Sequence, residues 1–192
     1  MKKFLASALM LLAASTTTFA QNAVGSFSLQ PKAGISIADM TDIHGTTSRI
    51  GFVGGLEGEY QASDIFSLSL GVNYSQEGFK MKNSDNKIKL DYINVPILAN
   101  VYLTKGLAVK VGVQPGFNVG NSVTVDGNTT SSSKKDYDGI KSVALSIPVG
   151  LSYEISNVVL DARYNWGVTK AFDGLDSKNS VFQVTIGYKF QL

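Results

Sequence analysis

Eight ionisable residues of this sequence stand at spacings that could make them work together. Glu57 and Glu59 are two apart, as are Asp161 and Arg163, while Lys32, Lys110, Lys189 and Glu154 recur in other stretches of alternating apolar and polar residues. A period of two puts both members of each pair on one side of an extended chain. Should the strands that carry them close around one axis, four positive and four negative side chains converge. The chemistry open to such a set is an ion-pair network or a path for protons or ions. A second set is basic. Lys80 and Lys82 mirror Lys87 and Lys89 across Asn83-Ser84-Asp85-Asn86, and Phe79 and Met81 mirror Ile88 and Leu90 in the same way. That symmetry predicts a hairpin with lysines outward, suited to anionic lipid head groups or an acidic partner. His44 is the single histidine, and neither an acid motif nor a nucleophile elbow accompanies it. Catalysis needs nucleophile, base and orienter to converge, so no catalytic residue, cofactor or metal is expected.

The elements that would position these residues are strands. Alternation of apolar and polar residues over 27–35, 50–60, 66–75, 92–102, 107–119, 143–153, 160–166 and 181–192 predicts eight of them. Pro31 interrupts the first. Tight turns are predicted at 61–64, 103–106 and 154–157, and long polar connections at 36–49, 76–91, 120–142 and 167–180. Short turns at one end and long loops at the other describe an up-and-down meander, and match barrels that span an outer membrane.

The charges decide which face meets which solvent. One face of the eight strands carries no Asp, Glu, Lys or Arg, while the other carries Lys32, Glu57, Glu59, Lys110, Asp161, Arg163 and Lys189, with Glu154 at its edge. A water-soluble barrel would be built the other way round. A charge on the lipid face of a membrane barrel costs roughly 2–4 kcal/mol at mid-depth. Aromatic residues fall in two groups, Phe27, Tyr60, Phe66, Tyr102, Tyr153 and Phe190 at the short-turn end and Phe52, Tyr74, Phe117, Tyr164, Trp166 and Phe182 at the other, as interfacial girdles do. An interior of eight strands has room only for its own side chains. Lys32, Glu57, Glu59, Lys110, Asp161, Arg163 and Lys189 are therefore expected to form a structural lumen network.

The remaining composition agrees. Met1-Lys2-Lys3, an apolar run to Ala14 and the small-residue pattern ending at Ala20 predict a signal peptide over 1–20, leaving 21–192 as the barrel domain. The run is far short of the ~20 residues of a membrane-spanning helix. Removal of Lys2 and Lys3 from 17 basic residues leaves the exported chain formally neutral against its 15 acidic ones. No clustered positive field remains for nucleic acid. The absence of cysteine excludes disulfides and thiolate metal sites.

Three segments carry a family resemblance: Leu90-Asp-Tyr-Ile-Asn-Val-Pro-Ile-Leu98, Ala162-Arg-Tyr-Asn-Trp-Gly167 and Gly187-Tyr-Lys-Phe190. With them the chain, from about residue 24 onward, resembles the PorT-like outer-membrane β-barrel family. The ending Thr185-Ile-Gly-Tyr-Lys-Phe-Gln-Leu192 is similar to the C-terminal signal read by the barrel-assembly machinery, through Gly187, Phe190 and Leu192, though Leu192 stands where a terminal Phe is commoner. The resemblance implies an eight-stranded all-β barrel in a Gram-negative outer membrane, both termini periplasmic, with membrane lipid and the assembly machinery as partners. It implies no shared activity. The expected role is structural or interactive, with a plugged lumen and surface loops, and a protein partner in secretion or adhesion is left unnamed. The rival readings are a lipid-modifying enzyme, a narrow solute or ion pore, and a soluble periplasmic carrier.

Overall fold

The computed structural model describes residues 23–41, 45–82, 86–125, 128–132, 141–170 and 177–192. The strands are β1 (Phe27–Met40), β2 (Thr46–Ser63), β3 (Phe66–Met81), β4 (Lys87–Asn94), β5 (Ile97–Thr104), β6 (Leu107–Val125), β7 (Asn128–Ser132), β8 (Val143–Ile155), β9 (Val158–Lys170), β10 (Lys178–Tyr188) and β11 (Phe190–Gln191). Every pairing is antiparallel, and β1 pairs β10 from Lys32↔Gly187 to Met40↔Asn179, which closes the sheet on itself. β4 with β5, and β10 with β11, act as single staves, so the closed ring has eight. β7 lies outside the ring as a short return strand on the far end of β6.

Each broken stave has a proline beside the break. Pro96 has no N–H to give, so β4 ends at Asn94 and β5 resumes at Ile97, with Gly71 N–H bonded to the Pro96 carbonyl at 2.9 Å. At the closing seam Pro31 is likewise without a donor. There Lys189 leaves the sheet, and its N–H goes to the Asn157 carbonyl at 2.7 Å while Asn157 Nδ2 donates to the Lys189 carbonyl at 3.0 Å. The seam then resumes with Leu29↔Phe190, and Leu192 N–H still reaches the Phe27 carbonyl at 2.9 Å.

The three short connections are two-residue turns, closed by Ser63↔Phe66, Thr104↔Leu107 and Ile155↔Val158. Two of them need a left-handed backbone. Gly106 supplies it at φ 85° without steric cost, whereas Ser156 adopts φ 58° with a side chain.

At the other end the strands run further than hydropathy alternation indicates. The predicted connections 36–49, 76–91, 120–142 and 167–180 begin and end as ladder: β1 continues to Met40, β2 starts at Thr46, β3 runs to Met81, β4 starts at Lys87, β6 runs to Val125 and β9 to Lys170. Beyond the hydrocarbon the outer face of a ribbon meets water, so it no longer has to be apolar. The apolar–polar signal fades there although the hydrogen-bonded ladder does not.

Burial is inverted relative to a water-soluble protein. Outward Leu70, Val72, Ile186 and Trp166 are 58%, 55%, 56% and 61% exposed, while inward Glu57 and Arg163 are 1% and 2% exposed. An apolar band around the whole circumference is a surface for hydrocarbon. Tyr102 departs from the predicted girdle: its ring lies between the band and the interior, and its hydroxyl donates to Glu59 inside the barrel. It keeps the inward phase of Asn94 and Asn100 on its own stave, which is why it turns in.

Candidate functional site

Four strands bring five charged residues to one level of the lumen. Glu57, inward on β2, accepts from Lys110 Nζ of β6 at 3.0 Å and from Arg163 Nη2 of β9 at 3.3 Å, and is paired with Lys32 of β1. Asp161, two residues before Arg163 on β9, accepts from Arg163 Nη2 at 2.9 Å and pairs with Lys110 Nζ at 3.1 Å. All five side chains are 1–4% exposed. The spacing of two fixes this: once Glu57 points inward Glu59 must, and the same holds for Asp161 and Arg163.

A second knot lies toward the short turns. Lys189 Nζ, at the break between β10 and β11, pairs with Glu154 at 2.7 Å and with Glu59 at 3.1 Å. Glu59 also accepts from Ser67 Oγ at 2.6 Å and from the Tyr102 hydroxyl, and Asn100 Nδ2 donates to Ser67 Oγ at 3.0 Å. The first knot carries one positive charge in excess and the second one negative. Together they balance. Such an arrangement cross-ties strands on opposite sides of the ring, and pairs each of the four carboxylates of the two knots with a cation.

Above these layers an apolar cluster of Met40, Phe79, Leu90 and Tyr92 is buried inside the loop end, with Ile88 and Ala144 against it. It is mostly the inner face of the hairpin of β3 and β4, where Phe79↔Ile88 and Lys80↔Lys87 face each other. Lys80 and Lys82 are exposed, and Lys87 and Lys89 are half-buried. Residues 83–85 at the hairpin connection, and His44, lie outside the described residues, as does the predicted signal peptide.

The structure also places charges inside that lay within predicted loops. Arg49 is 6% exposed and donates through Nη1 to the Glu77 carbonyl, and Glu77 is itself 4% exposed. Extending the inward phase from Glu57 down to Arg49, and from Asn73 up to Glu77, would have found both. Of the residues tied to the chain's end, Gly187 sits opposite Lys32 on the seam, where an added Cβ would come within 2.9 Å of the Pro31 carbonyl oxygen. Phe190 stacks tilted against Tyr188, with ring centroids 4.7 Å apart.

The comparisons agree with this architecture. The family described as an outer membrane protein beta-barrel domain matches residues 19–173. Among solved structures, the chain is similar to Neisserial surface protein A at 20% identity, covering 85% of this chain and 97% of that one, with a TM-score of 0.57. It is also similar to Ail, the attachment invasion locus protein of Yersinia pestis, at 18% identity over 87% and 99% of the two chains, with a TM-score of 0.52. At these identities the likeness is one of fold. No curated protein matches the chain.

Proposed function

We propose a structural and interaction role for this chain, which belongs to the outer membrane protein beta-barrel domain family and resides in the outer membrane. In this reading the lumen is plugged, catalysis is absent, and the loop end is the working surface. The observation that supports it is the five-residue knot of Lys32, Glu57, Lys110, Asp161 and Arg163, whose paired groups cross one level of the interior between β1, β2, β6 and β9. A conducting pore would need those pairs to part, which exposes buried charges to one another unpaired. Purified protein in planar bilayers is expected to give no conductance steps; discrete single-channel events from the unmodified chain would overturn the plugged reading.

The surface half of the proposal rests on the hairpin of β3 and β4. Lys80, Lys82, Lys87 and Lys89 stand at the rim of a membrane whose outer leaflet displays anionic head groups, and each lysine near such a surface contributes about 1 kcal/mol of attraction. Reversing all four charges to glutamate is expected to abolish binding to vesicles carrying lipopolysaccharide phosphates while leaving the barrel folded. Undiminished binding would remove this contact from the proposal. We further place the chain with the PorT-like barrels on the three quoted segments. We assign its first 20 residues to export and Gly187, Phe190 and Leu192 to recognition by the assembly machinery.

A further inference from the structure

Glu77 is the interior carboxylate that the ionic knots leave out. It is 4% exposed, and it accepts from Asn94 Nδ2 at 3.2 Å and Asn179 Nδ2 at 3.1 Å, both neutral donors. Among the described residues no lysine or arginine side chain pairs with its carboxylate. The Arg49 guanidinium binds the backbone carbonyl of Glu77 instead and lies in the field of Asp91. Neutral donors, the Ser75 hydroxyl among them, do not cancel a carboxylate's charge, and burial pushes the Glu77 carboxyl up to about 7, so its ionised form calls for a positive partner.

A small cavity of ≈ 20 Å³ adjoins that carboxylate, enough for one water-sized occupant. Gln114 of β6 and Asn165 of β9 line it too, at 3% and 2% exposed. Gln114 Oε1 and both amide atoms of Asn165 have no hydrogen-bond partner among the described residues. Whichever way the Asn165 amide is turned, its oxygen is therefore open. We propose that this chamber binds one small monovalent cation through the Glu77 carboxylate and the side-chain oxygens of Gln114 and Asn165.

Hard cations take oxygen ligands, and a divalent ion of this class is ordinarily held by more than one carboxylate. Here a single negative charge matches a single positive one. Beside the chamber the β8–β9 ladder stops at Ser146↔Gly167 and Leu145 N–H turns to Thr169 Oγ1 at 2.8 Å, with all four residues in the cavity wall. Toward the short turns the way is barred by the knot of Lys32, Lys110 and Arg163 with Glu57 and Asp161, whose one excess positive charge repels a cation. The site lies at the inner base of the same β3–β4 ladder that carries the lysine hairpin, with Glu77 opposite Leu90.

The test uses the folded full-length barrel in detergent micelles, titrated with sodium, potassium or calcium chloride against choline chloride at constant ionic strength. Thermal unfolding and sodium-23 line broadening are the readouts. Sodium or potassium is expected to raise the unfolding temperature to a plateau that choline does not produce. Glu77→Gln should lose the response, and Asn165→Ala should raise the half-saturating concentration at least about tenfold, the effect of ~1.4 kcal/mol. The proposal is overturned if choline acts like sodium, if calcium alone produces the plateau, or if both variants respond as the unmodified chain does. Should Glu77→Gln fail to fold, the Asn165→Ala shift decides by itself.

Discussion

Arg163 has the heaviest duty of any single side chain here, because it binds both Glu57 and Asp161 while 2% exposed. Arg163→Ala leaves two carboxylates sharing Lys32 and Lys110, and is expected to lower stability by about 3–5 kcal/mol. Lys189→Ala should cost less, since one of its partners, Glu154, is 13% exposed and can turn to solvent. Urea unfolding of the refolded barrel, followed by its tryptophan fluorescence, measures both, and equal losses would refute the ranking. This network was legible in the sequence because a spacing of two forces Glu57 with Glu59, and Asp161 with Arg163, onto one face. Arg49, Glu77 and Tyr102 were missed for a related reason. The first two sit past the point where the outward residues cease to be apolar, and Tyr102 has an aromatic ring that passes for a girdle residue while its phase is inward.

Among the elements, the seam between β1 and the β10–β11 stave is the most exacting. Gly187 lies where the Gln30 side chain and the Pro31 carbonyl crowd the backbone, so a branched side chain has no room. Gly187→Val is expected to reduce the heat-modifiable, folded fraction on a gel several-fold, whereas Gly25→Ala, at a position with open space but φ 86°, should act only through local strain before β1. Removal of Phe190–Leu192 takes away the Leu29↔Phe190 pairing and the Phe27–Leu192 bond. It should abolish assembly in the outer membrane while export continues, as read by periplasmic accumulation. The existence and order of the eight staves were readable from alternation and turn residues. Their lengths above the membrane were not, since residues such as Thr46, Lys80 and Thr124 extend ladders in which polar residues stand on the outer face and the regular apolar–polar alternation is lost.

For the whole molecule the governing fact is inversion: apolar outside, ionic within. Leu70 on β3 is 58% exposed at the midst of the apolar band. Leu70→Arg is expected to cost roughly 2–4 kcal/mol in lipid, while a similar change toward the interface, as at Phe66, should cost about 0–1 kcal/mol. Vesicle-based unfolding distinguishes the two, and a depth-independent penalty would contradict the placement of the band. The fold class was legible because the charge-free face persisted across every predicted strand, a pattern that a core facing water-borne ligands does not require.

The break at Lys189 also has a bearing on how the chain closes. The first and last staves meet in one clasp, so its ladder forms only after the longest loop between paired strands has been drawn together, the slowest kind of contact to make. Lys189 divides that clasp into a long section, Lys32–Met40 against β10, and a two-residue catch at β11. Tension on the C-terminus would lift the catch first and leave the long section intact. In mechanical terms the barrel has a latch separate from its hinge, and the residue at the latch is the same lysine that pins Glu59 and Glu154 inside.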